Sequence, residues 1–81
     1  MRWEIGFSLE ASSYAIDSHP YNEAVLQAIE WLSFTEDGLP TSGYVALESE
    51  LYLWQIEQHY VFFQRFPAQK QLWIAVIKPQ T

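Results

Sequence analysis

LYLWQIEQHYVFFQRF, residues 51–66, governs how the rest of the chain is read, because ten of its sixteen side chains are apolar. It alternates like a strand, turns at Glu57-Gln58-His59, and alternates again. That is the pattern of two paired strands. An antiparallel pair with one face in water needs only about half of its positions apolar. The stretch therefore carries a surplus, usable either as extra core or as a surface that holds a partner.

The period of two extends on both sides. YVALE (44–48) precedes the stretch and LWIAVIK (72–78) follows it, joined through Glu48-Ser49-Glu50 and Pro67-Ala68-Gln69-Lys70-Gln71. Connections this short make successive strands antiparallel, so the second half of the chain reads as a meander. At the other end Trp3, Ile5 and Phe7 alternate with Arg2, Glu4 and Gly6, a further strand. Ser8 is placed to cap a helix over Leu9–Ile16, with Glu10 in the first turn where the helix dipole favours a carboxylate. A second helix is expected from about Pro20 to Ser33. Tyr21, Val25, Ala28 and Leu32 form its packed stripe, and Glu23, Gln27 and Glu30 its solvated one. Gly38, Pro40 and Gly43 end it. The expectation is one domain over residues 1–81 in the α+β class, with two layers: an N-terminal strand, two helices, then an antiparallel β-meander.

Size and charge narrow the function. A chain of 81 residues buries little surface, and with no cysteine it has neither disulfides nor a cysteine-based zinc site. Four Trp, five Tyr and five Phe supply the missing core mass. His19 and His59 are too far apart to form a local ligand pair, so no metal or cofactor is expected. The net charge of −6, with only Arg2, Arg65, Lys70 and Lys78 as cations, is a poor footprint for nucleic acid or an anionic membrane. No apolar run reaches the roughly 20 residues of a spanning helix. MRWEIGF carries no secretory-signal pattern, and the expected compartment is the cytoplasm.

EIGFSLEA at the start, EAVLQAIEWL in the second helix and LYLWQIEQHYVFF in the strands, in this order, resemble the RelE/ParE toxin superfamily of bacterial toxin–antitoxin modules. The resemblance spans nearly the whole chain. It implies the α+β fold above and a toxin-like role in such a pair. RelE-type ribonucleases carry basic residues on these strands, in a pattern like Leu-Arg…Tyr-Arg-Val. Here the arginine positions fall at Gln55 and Tyr60, so the resemblance is degenerate at its basic catalytic positions. Cleaving RNA requires cations on the charged transition state and a base for the 2′-OH proton. The weak candidates for those roles are His59, Tyr60, Arg65 and Lys70.

Each has a plainer use. His59 is expected as an exposed turn residue, Arg65 and Lys70 as surface cations that protect a sheet edge, and Glu48, Glu50 and Glu57 as a solvated rim. Ser8, Ser12 and Ser13 serve as caps or exposed polar positions. The aromatics differ, since two helices can seal only one face of the sheet. The remaining apolar face is expected to bind protein, through Tyr52, Trp54, Tyr60, Phe62 and Trp73. The reading is a non-catalytic, toxin-like protein that binds an antitoxin-like segment, a target or its own copy, a homodimer being favoured by the acidic charge. The alternatives are an mRNA endoribonuclease of RelE type or a ParE-like gyrase inhibitor. Whether the chain is an enzyme stays open at this point.

Overall fold

A computed structural model describes residues 2–18 and 21–80. In chain order it has β1 (Glu4–Phe7), α1 (Leu9–Asp17), α2 (Glu23–Leu32), β2 (Tyr44–Glu48), β3 (Leu51–Ile56), β4 (His59–Phe66) and β5 (Gln71–Pro79), with a 3₁₀ turn at Pro67–Gln69. The architecture is the expected strand, helix pair and meander. One five-stranded sheet has the order β1-β5-β4-β3-β2. β2 to β5 are sequential antiparallel neighbours, and β1 pairs in parallel with β5, from Glu4 beside Gln71 to Phe7 beside Ile74. The helices therefore carry the chain from one sheet edge to the other, across one face.

Local chemistry fixes both helices. Ser8 Oγ accepts the Ala11 N–H at 3.1 Å and donates to the Ala75 carbonyl at 2.6 Å, so the cap also ties α1 to β5. α2 begins later than its stripe suggests. Buried Asn22 precedes it, and its Nδ2 donates to the Tyr14 and Ala15 carbonyls at 2.9 and 3.3 Å, closing the end of α1 instead of capping α2. Pro20 and His19 lie outside the described residues. From these helices Ala11, Val25, Ile29 and Leu32 pack on Trp54, Val61, Phe63, Leu72, Ile74 and Ile77 of the sheet. Removing the larger of these side chains from water contributes about 1.5–3 kcal/mol each.

Two details of register correct the sequence reading. The β3–β4 loop holds Glu57 and Gln58 only, at φ 50° and 62°, and His59 already pairs with Ile56. Positive φ at both loop residues is the requirement of a type I′ turn, whose twist matches the strands. A three-residue turn would set Trp54 against Phe62; the two-residue turn sets Trp54 against Val61 and Leu53 against Phe62. Shifting the pairing by one residue moves side chains to the opposite face. Second, the β4–β5 ladder jumps from Phe63·Ile74 to Phe62·Val76, leaving Ala75 as an extra residue. That bulge lets Leu72, Ile74 and Ile77 all face the helices, which explains why LWIAVI is apolar without a clean alternation.

Candidate binding face

The face away from the helices is built in rows, one residue per strand. Its central row is Val76, Phe62, Leu53 and Val45 on β5, β4, β3 and β2, without a polar residue. The next row runs Gly6, Trp73, Gln64, Leu51 and Glu48. On the far side of the central row lie Lys78, Tyr60 and Gln55, and at the opposite end Glu4, Gln71 and Phe66. Trp73 is 38% exposed and Val45 56% exposed, yet among the described residues this face carries charge only at Glu4, Glu48 and Lys78, all at its rim. Gly6 shapes it: a Cβ there would stand 2.9 Å from Trp73 Cε3, so the missing side chain is what lets the indole lie down on β1.

The expected binding residues divide between the two faces. Tyr60, Phe62 and Trp73 stand on the open one. Trp54, at 4% exposure, and Tyr52 pack into the covered core, Trp54 edge-on to Phe63 and Tyr52 stacked on it. The one-residue slip in the expected turn accounts for the mixture.

The four weak catalytic candidates are also dispersed. His59, read as an exposed turn residue, is 2% exposed in the β4 ladder. Its Nδ1 lies 2.8 Å from the Glu57 carbonyl, which can only accept, so Nδ1 donates. In the neutral imidazole Nε2 then accepts from the Tyr14 hydroxyl at 2.6 Å. The rings of Tyr14 and Tyr21 enclose it at 5.6 and 5.3 Å, and burial pushes the Tyr14 phenol pKa up. Both nitrogens are committed to structure. Sequence reasoning missed this cluster; the signal was Tyr14, an aromatic among the serines of α1, but its partner lies 45 residues away.

Arg65 is likewise committed rather than a free surface cation. It faces the helix side and grips Glu50 with Nε–Oε1 at 2.8 Å and Nη2–Oε2 at 3.3 Å, while Nη1 donates to the Asp37 carbonyl at 2.6 Å. The Glu50 hydrogen bond raises the guanidinium pKa, and in return Arg65 holds the Glu50 carboxyl below its ordinary value. Glu50 is thus an ion-pair partner, not simply solvated rim. Lys70 Nζ sits 5.3 Å from the Trp3 ring centroid, and the Arg65 guanidinium 6.0 Å from it. Tyr60 is on the other face, in register with Gln55 and Lys78. Among the described residues no three His, Cys, Asp or Glu side chains gather as a metal would need.

The chain shares its backbone plan with a solved structure. Over 99% of its length it superposes on 97% of a chain in the crystal structure of the archaeal RelE–RelB complex from Pyrococcus horikoshii OT3, with a TM-score of 0.78 at 17% sequence identity. The fold is RelE-like. No protein-family model and no curated protein matches the sequence. The RelE-like chain thus shares a backbone plan with its solved counterpart while differing at most positions, and its function rests on its own side chains. No helix among its described residues is long and apolar enough to cross a membrane.

Proposed function

We propose that this RelE-like chain is a non-catalytic member of a toxin–antitoxin-like pair, acting by binding protein through the open face of its sheet. The observation that carries the reading is the row Val76-Phe62-Leu53-Val45, apolar on every strand it crosses and uncovered by either helix. Contiguous apolar surface beyond a few hundred Å² usually marks an interaction site. The solved counterpart is a complex of RelE with RelB, which supports association as the use of the fold. An antitoxin-like segment, a target protein and a second copy of the chain are the occupants this face can take.

Two findings weigh against RNA cleavage. Arg65 is held by hydrogen bonds to Glu50 and Asp37, and His59 is sealed between tyrosines. Tyr60 and Arg65 also face opposite sides of the sheet, so these two candidates do not converge on one point.

Sedimentation of the purified chain, alone and mixed with the protein encoded by the adjacent reading frame, tests the reading. A heavier species is expected in at least one case and is lost in Phe62→Glu, whereas Trp31→Glu on the helix side leaves it intact. Monomers throughout would overturn the reading. Growth arrest with mRNA cleavage on expression would transfer it to the endoribonuclease class.

A further inference from the structure

We infer that the open face closes on a second copy of the same chain, with a two-fold axis running across the strands along the apolar rows. This rests on the binding reading above and names its occupant.

The first argument is charge. The chain has a net charge of −6, yet among the described residues its open face has only Glu4, Glu48 and Lys78 as charges, so the acidic coat thins out here. A strongly basic partner would find little to neutralise in the middle of this face. A near-neutral, apolar partner surface suits it, and the molecule carries one: this same face.

The second argument is register. Lys78 and Glu4 occupy opposite ends of the adjacent strands β5 and β1. An axis across the strands reverses the strand direction of the facing copy without changing strand order. Lys78 of one copy then comes over the Gln71–Glu4 corner of the other, and symmetry makes this pairing twice. The same operation lays the row of Phe62 and Leu53 over the partner's row of Trp73 and Leu51.

The third argument is area. Five strands about 4.8 Å apart, over four rows of same-face residues, make a face of about 24 Å by 20 Å, on the order of 500 Å² in flat projection. Side-chain relief brings this toward the ~800 Å² per partner of a standard interface. Because both uses need the same face, self-association excludes a heterologous partner, and the dimer is the resting form that such a partner must open.

Salt dependence separates this occupant from a basic one. Two copies of like charge repel across about 20 Å, where a Debye length near 30 Å at 10 mM salt lets the repulsion act and one near 8 Å at 150 mM removes it. Raising NaCl from 10 to 150 mM should therefore tighten the dimer, on the order of tenfold. A complex with a basic partner would weaken instead.

Sedimentation equilibrium of the full chain at these two salt concentrations is the test. Wild type is expected to dimerise and to do so more tightly in high salt, and Phe62→Glu to be monomeric with its circular dichroism intact. Lys78→Glu should weaken the dimer, and adding Glu4→Lys should restore it. Adding Glu48→Lys instead gives the same net charge without the corner contact and should not restore it. This charge swap decides the matter if Phe62→Glu does not fold. A wild-type monomer in both salts overturns the inference, as does a dimer loosened by salt or rescued equally by Glu48→Lys. If the chain is monomeric alone but forms a Phe62-dependent complex with the adjacent-frame protein, the inference falls and the binding reading stands.

Discussion

The two faces of the sheet both draw on Phe, Trp, Leu and Val but solve opposite problems. The covered face carries Phe63, Val61, Trp54, Leu72, Ile74 and Ile77, and two polar side chains of β4 on it find partners: His59 in Tyr14 and Glu57, Arg65 in Glu50 and Asp37. The open face carries Phe62, Leu53, Val76 and Trp73 with glutamines between them, and no cluster closes its ends. Composition alone does not tell them apart. What separates them is which residues the turn and the bulge point at the helices, so neighbours in sequence should differ sharply in energetic weight.

Phe63 and Phe62 give the largest contrast. Phe63 is fully buried against Trp54 and Tyr52, so Phe63→Ala should cost about 3–5 kcal/mol, enough to threaten folding of a domain this small. Phe62→Ala should cost clearly less in urea unfolding at low protein concentration, while shifting the association equilibrium. Equal losses of stability at both positions would show that the open face is no different from the core.

Tyr14→Phe comes next. It removes the donor to His59 Nε2 and leaves a buried acceptor unanswered, a cost of about 1–3 kcal/mol. Burial favours the neutral Tyr14 phenol. Its contribution is therefore complete below the ordinary tyrosine range and lost as pH rises through its raised folded value. The alkaline limb of stability should be less steep in Tyr14→Phe.

At the other end of the covered face the dependence has the opposite sign. Arg65 depresses the Glu50 pKa, so the stabilisation is present above the ordinary glutamate range and fades as pH falls through the lowered folded value. In urea midpoints taken from pH ~6 down to ~3, Glu50→Gln should lie below wild type at the upper end and converge with it at the lower. Parallel curves would mean that the pair contributes nothing.

Much of the fold was legible because it rests on local periodicity. The strand limits of β2, the Ser8 cap and the two-layer order all follow from short-range pattern. The placement of β1 beside β5 was not, since nothing local to EIGF records a partner 67 residues on. Nor were the partners of His59 and Arg65, each fixed by a residue from a distant element. The binding face was half legible. An apolar surplus is a matter of counting, but assigning Trp54 and Phe62 to faces needs the register, and the register hangs on whether His59 belongs to the turn.

That turn yields the smallest predicted effect and the one most specific to the contrast between faces. Glu57 and Gln58 both adopt positive φ, a conformation costly for residues with a Cβ and cheap for asparagine or glycine. Glu57→Asn with Gln58→Gly should therefore stabilise the hairpin by about 0.5–1 kcal/mol, after the greater unfolded-state entropy of glycine is subtracted. The urea midpoint should rise with an unchanged slope, since neither face is altered. A type I′ turn also selects the two-residue loop over the three-residue one, so the change should suppress any population in which Phe62 slips toward the helices. If the double variant is less stable than wild type, the loop geometry assigned to Glu57-Gln58 is wrong, and the division of the aromatics between a packed face and a binding face is wrong with it.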